Sequence, residues 1–154
     1  MSAVPEAAVG LGTVMTRRDL DLARQMGVRF AFSPGAPPEL LGAAADLDIT
    51  FVPGIATASE LMAAMVRGFR VVKLFPAAQL GGIAALKALG GPFPEARFCP
   101  TGGVGEAELR DYLALPNVLA IGGSWLAPAA DVRAGRWDAI TARARRSLAS
   151  LGPA

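Results

Sequence analysis

The chain has 154 residues, 53% of them apolar and 18% charged, which suits a single domain over residues 1–154 and is too apolar for a disordered segment. Its net charge is only +2, with no Lys/Arg run or aromatic-basic stripe, so nucleic acid is not an expected partner. The absence of histidine removes Ser-His-Asp and Cys-His catalysis and most zinc sites, leaving a metal held purely by carboxylates as the open alternative to the expectation of no metal and no cofactor, and the single cysteine excludes an internal disulfide.

From the amino terminus, MSAVPEAAVG lacks a basic segment and carries Glu6 early, so no secretory signal is expected and the cytoplasm is the expected location. The apolar run AAVGLGTV (7–14) predicts a strand. Thr16, with Asp19 three residues on, predicts the start of a helix through RRDLDLARQM. VRFAF (28–32) predicts a second strand, followed by a helix over 37–46. ITFV (49–52) predicts a third, and the T-x-x-E pair Thr57 and Glu60 caps the next helix. Met62 and Met65, three residues apart on that helix, are expected in the core. VVKLF (71–75), RFC (97–99) and VLAI (118–121) predict further strands, with helices over 82–90, 105–114 and 136–149. Gly27, Gly42, Gly68 and Gly90 fall near helix ends, where a left-handed cap is useful. Cys99 is expected as a small core residue, and Trp125 and Trp137 as packing against helices. The longest uncharged stretch, 112–130, is broken by Pro116, Gly122, Gly123 and Pro128, so no membrane helix is expected.

Six βα units recur about every 20 to 26 residues, the pattern of a parallel sheet covered by helices. An open doubly wound sheet and a (β/α)₈ barrel both fit, although a barrel takes eight units and typically about 200 residues or more. In either architecture the working residues follow the carboxyl ends of the strands. Here those positions are GTV (12–14), SPG (33–35), PGIA (53–56), FPA (75–77), PTGG (100–103) and GGSW (122–125). They are poor in charge and rich in backbone N–H groups and hydroxyls, which suits a phosphate or carboxylate. Gly102, Gly103, Gly122 and Gly123 permit close approach, and Thr101 and Ser124 offer hydroxyls; plain tight turns are the alternative.

Lys73 is one of two lysines against thirteen arginines, and it lies inside a strand expected to be buried on both faces. Burial lowers an ammonium's pKa, and the resulting neutral amine can attack a carbonyl to form a Schiff base. A snorkelling or ion-paired structural lysine is the alternative. Asp and Glu lie mainly in helical patterns, so the sequence offers a nucleophile without an evident general base.

Taken together, GTV, FAFSPG, FVPGIATASELMAAMVRG, VVKLFPA, RFCPTGG and AIGGSWLAP resemble the 2-keto-3-deoxy-6-phosphogluconate aldolases, a class I family in which some members also cleave 4-hydroxy-2-oxoglutarate. The resemblance implies an α/β fold of the (β/α)₈ TIM-barrel type, usually trimeric, with a phosphorylated keto acid as substrate. It makes Lys73 the Schiff-base lysine, in a K-x-F-P motif with Phe75 and Pro76. It also implies substrate contacts from Thr13, Pro34, Phe75 and Thr101, and phosphate contacts from Gly102, Gly103, Gly123 and Ser124. Two βα units that precede the GTV strand in the family, with a proton-shuttling glutamate and a substrate-binding arginine, have no counterpart in the 154 residues. The expected fold is therefore incomplete, with about six βα units matching family strands three to eight. Its unpaired strand edges would leave several hundred Å² of apolar surface wet, which at about 25 cal/mol per Å² rivals a domain's whole stability of about 5–15 kcal/mol. The implied activity is aldol cleavage with turnover by the chain alone severely reduced. A non-catalytic phosphate-ligand binder, part of a complemented barrel, and another phosphate-binding barrel enzyme are the alternatives.

Overall fold

The computed structural model describes residues 6–151. Strands β1 (Gly10–Leu11), β2 (Phe30–Phe32) and β3 (Thr50–Val52) form one parallel sheet, in the order β1-β2-β3. Strands β4 (Gly54–Ile55), β5 (Val71–Leu74) and β6 (Arg97–Phe98) form a second, also parallel, in the order β4-β5-β6. Only Pro53 separates β3 from β4, so one stretch of chain serves both sheets. Proline has no N–H to give the ladder, but the Pro53 carbonyl accepts from the Lys73 N–H at 2.8 Å and keeps the two sheets in step.

The helices are α1 (Arg17–Gln25), α2 (Pro38–Ala45), α3 (Ala58–Val66), α4 (Gly82–Gly90), α5 (Leu109–Leu113), α6 (Ala129–Arg133) and α7 (Trp137–Leu151). Both capping boxes form as the sequence predicts: Thr16 Oγ1 accepts from the Asp19 N–H, and Thr57 Oγ1 from the Glu60 N–H, each at 3.2 Å. Gly27 (φ 63°) and Gly68 (φ 90°) turn the chain out of α1 and α3 through the left-handed region, whereas Gly42 lies inside α2 and Gly90 is the last residue of α4 without a positive φ.

Side chains alternate across the strands, and the two faces differ. Ala31, Phe51, Ile55, Val72, Leu74 and Phe98 point to the helices and are buried with Leu20, Leu40, Leu61 and Leu86. Phe69 packs against both of the resulting clusters. On the other face, Phe30, Phe32, Val52, Val71, Cys99 and Leu119 line an apolar hollow of about 630 Å³. VVKLF is therefore fully covered only on its helix side, and Lys73 is half-buried rather than sealed.

Three further expectations need correction. Met62 is exposed, because Leu61 and Ala64 take the sheet-facing positions of α3. Trp137 is 61% exposed at the first turn of α7 and packs on nothing that buries it. VLAI (118–121) pairs with β6 only through an isolated Phe98–Val118 bridge, and Leu119 stands open to solvent. Cys99 is buried as expected, and burial raises its thiol pKa. Among the described residues no helix is long and apolar enough to cross a membrane, and no group of three or more metal-ligating side chains occurs.

Candidate active site

The strand ends are fastened to one another by backbone hydrogen bonds that run around the rim. The Val14 N–H donates to the Phe32 carbonyl (3.0 Å), Ser33 to Val52 (3.3 Å), Phe75 to Ile55 (3.1 Å), Thr101 to Leu74 (3.0 Å) and Gly122 to Pro100 (3.0 Å). This is the ordinary step between parallel neighbours, repeated until loops far apart in sequence share one rim. Buried Ser33 adds a side-chain link, its Oγ accepting from the Gly54 N–H at 2.9 Å.

Lys73 sits where the rim is tightest. It pairs in register with Gly54, and Gly54 lies so close to the next loop that a Cβ there would fall 2.3 Å from the Pro34 carbonyl carbon. Pro34, Gly54 and Lys73 therefore follow one another across the strand ends. Lys73 Nζ lies 4.5 Å from the centroid of the Phe75 ring. On the PTGG side, a Cβ on Gly102 would lie 3.1 Å from the same ring. Phe75 thus connects the amine to the glycine loop, which is held to the turn after β5 by Ala77 N–H to Thr101 (2.8 Å) and Ala78 N–H to Gly102 (3.0 Å).

Burial holds the Lys73 amine below the ordinary lysine pKa. The ring face of Phe75 works in the opposite sense, because it favours an ammonium by about 0.5–2 kcal/mol. The result is a tethered amine whose proton is easier to remove than that of a surface lysine.

The remaining candidates divide. Thr101 is half-buried and bridged to Gly122, and a Cβ on Gly122 would fall 2.4 Å from Thr101 Oγ1. Its hydroxyl donates to the Cys99 carbonyl at 3.3 Å, which leaves the oxygen lone pairs free to accept. Gly102 (φ 95°) and Gly103 (φ 75°) occupy the left-handed region, and a Cβ on Gly103 would meet Ala78 at 2.7 Å. Thr13, at φ 60°, is the one non-glycine with positive φ among the described residues, a strained position for a β-branched side chain. Such strain, about 1–3 kcal/mol, tends to persist where function requires it. Thr13 and Ser124 are exposed, and neither side chain makes a hydrogen bond among the described residues. Gly123 is half-buried beneath the ring of Trp125, a contact the sequence does not announce. Gly54 falls within PGIA, one of the strand ends read from the sequence, and the Pro-Gly pair inside the run FVPGI is the signal of close backbone approach.

The family model for KDPG and KHG aldolases matches residues 1–143. The chain belongs to the KDPG and KHG aldolase family. It is 51% identical over 145 residues to the KHG/KDPG aldolase of Escherichia coli (strain K12), covering 94% of this chain and 68% of that protein. It is 50% identical over 146 residues to the 2-dehydro-3-deoxy-phosphogluconate aldolase of Dickeya dadantii, with 95% and 68% covered. Among solved structures it is similar to the KDPG aldolase from Legionella pneumophila with pyruvate captured as a covalent carbinolamine intermediate. That match has a TM-score of 0.88 at 42% identity and covers 92% of this chain and 69% of that one. It is also similar to the 2-keto-3-deoxy-6-phosphogluconate aldolase of Zymomonas mobilis ZM4 with 3-phosphoglycerate (TM-score 0.80, 40% identity, 83% and 61% covered). The α/β fold is that of the aldolases, and the chain is an aldolase, a lyase, by family. It spans about two thirds of the length of these relatives.

Proposed function

We propose that the chain, acting as one domain, carries the Schiff-base half of a class I aldolase site. Its substrate is 2-keto-3-deoxy-6-phosphogluconate, cleaved to pyruvate and glyceraldehyde 3-phosphate, with 4-hydroxy-2-oxoglutarate as a second keto acid. The observation that carries this reading is the half-buried Lys73 at the end of β5, its amine eased toward neutrality by burial. The neutral Nζ attacks the C2 carbonyl, and loss of water leaves an iminium. The C3–C4 bond then breaks with its electron pair drawn into the iminium, while the C4 hydroxyl loses its proton and departs as the aldehyde. The enamine left on Lys73 takes a proton at C3, and water returns the amine and pyruvate.

Thr13, Pro34, Phe75 and Thr101 bound the keto-acid end, and Gly102, Gly103, Gly123 and Ser124 offer N–H groups and a hydroxyl to the phosphate. The pyruvate adduct of the Legionella relative and the phosphate compound with the Zymomonas relative support these two assignments. The expected setting is a cytoplasmic homotrimer.

The apolar hollow beside β2, β3 and β5 favours a second reading of the same site. In it, the chain is one portion of a barrel whose remaining strands fill the hollow and bring the family's glutamate and arginine. Adding a polypeptide equivalent to the relatives' unmatched third then raises both melting temperature and cleavage rate. General acid–base catalysis typically contributes about 10²–10⁴-fold, so a rate gain below ten-fold refutes this second reading.

Borohydride reduction with pyruvate, followed by peptide mass mapping, tests the first. The reduced pyruvate adduct is expected on Lys73. Only the neutral amine attacks, and the folded pKa is lowered from 10.5, so the trapping rate rises with pH and reaches its midpoint below 10.5. A midpoint at the ordinary lysine value, or label on Lys87, refutes the assignment.

A further inference from the structure

The two glycine loops end on side chains that meet at α7. Glu106 opens the 3₁₀ turn Glu106–Glu108 directly after the PTGG loop, and Trp125 closes the GGS loop. Between them lies Ser147, 5% exposed in the middle of α7. Its hydroxyl donates to Glu106 Oε1 at 2.7 Å, and its oxygen accepts from Trp125 Nε1 at 3.5 Å. A hydroxyl has one hydrogen to give and lone pairs to receive, so indole, hydroxyl and carboxylate form a chain with a single polarity. A charged acceptor at its end strengthens each link before it.

The far side of the indole lies flush on Gly123: a Cβ there would overlap the Trp125 ring, 1.2 Å from its nearest atom. Leu109, Leu113 and Ile121 seat the rest of the ring around an apolar cavity of about 340 Å³. The ring therefore packs on the Gly123 backbone with one edge and is tied to Ser147 by the other.

We infer that Ser147 is a positioning residue for phosphate binding: with Glu106 it locks Trp125 against Gly123, so that the two glycine loops hold one shape. This rests on the phosphate role proposed above for those loops. Ser147 touches no substrate, and its effect runs wholly through the indole.

The test uses the full chain with Trp137→Phe, which leaves Trp125 as its only tryptophan. Inorganic phosphate is titrated while Trp125 fluorescence is followed, and pyruvate trapping on Lys73 is measured in parallel. Ser147→Ala is expected to weaken phosphate affinity about ten-fold, the loss of a charge-assisted hydrogen bond, with pyruvate trapping unchanged. Ser147→Thr restores the affinity. Glu106→Ala, at an exposed position that a fold tolerates, shifts affinity in the same direction as Ser147→Ala. Saturable phosphate binding that Ser147→Ala and Glu106→Ala both leave unaltered overturns the role of Ser147 alone. Equal loss of phosphate affinity and pyruvate trapping marks a merely structural residue and also overturns it. No saturable phosphate binding in the Trp137→Phe parent, with trapping intact, overturns the phosphate role of the loops and this inference with it.

Discussion

Lys73→Met is expected to abolish the borohydride-stable pyruvate adduct outright and to reduce aldol cleavage by about 10⁴–10⁶-fold, the scale on which covalent catalysis fails when its nucleophile is removed. The fold is expected to survive. Lys73 is charged in the unfolded chain at neutral pH, while burial in the folded chain lowers its pKa. The unfolded state therefore binds the proton more tightly, and stability rises with pH through the window between the lowered pKa and 10.5. Below that window the ammonium is a cost of folding. Methionine keeps the stem and removes the cost, so the melting temperature at pH 7 should hold or rise. Lys73→Arg separates charge from chemistry, because guanidinium keeps the charge and cannot condense with a ketone. Loss of the adduct in both variants, with cooperative unfolding preserved, assigns the amine; a full adduct in either refutes it.

That prediction draws on something legible in the sequence. A lone lysine between valine and leucine in an apolar run conflicts with the cost of burying charge, and such conflicts mark chemistry. The capping boxes at Thr16 and Thr57 were equally legible, since every atom they need lies within four residues. What the sequence hid is of two kinds. One is the difference between the faces of a parallel sheet: Val71 and Val72 are the same residue type, but only Val72 meets the helices. The other is contact across long separations. Ser147 and Glu106 are 41 residues apart, and nothing in SLASL marks one serine as a hydrogen-bond partner rather than a surface residue. Met62 and Trp137 failed for a related reason. Large apolar side chains suggest burial, but the helix phase set by Leu61 and Ala64 decides for Met62, and position at an open helix end decides for Trp137.

Gly54→Ala should be a strongly damaging single methyl on the rim. The added Cβ would lie 2.3 Å from the Pro34 carbonyl carbon, 2.4 Å from its oxygen and 2.6 Å from the Gly35 nitrogen. All three are backbone atoms, so no side chain can swing aside. The strands must separate instead, which strains the Gly54 N–H to Ser33 Oγ bond inside a fully buried site. Overpacking of this kind costs about 1–3 kcal/mol, and the backbone neighbours place it at the upper end, a melting temperature lower by roughly 5–10 °C. Chemistry should suffer as well: Gly54 pairs with Lys73, so the displacement moves the amine relative to Pro34 and slows pyruvate trapping in molecules that remain folded. Gly12→Ala is the matched control. A Cβ there meets nothing within 4 Å and its φ is not positive, so the substitution should be neutral or stabilising by up to about 1 kcal/mol. Thermal unfolding of the pair decides the matter. If Gly54→Ala melts within 2 °C of Gly12→Ala, the loop at Pro34 is soft, and the close approach that steadies Lys73 is not what holds the rim together.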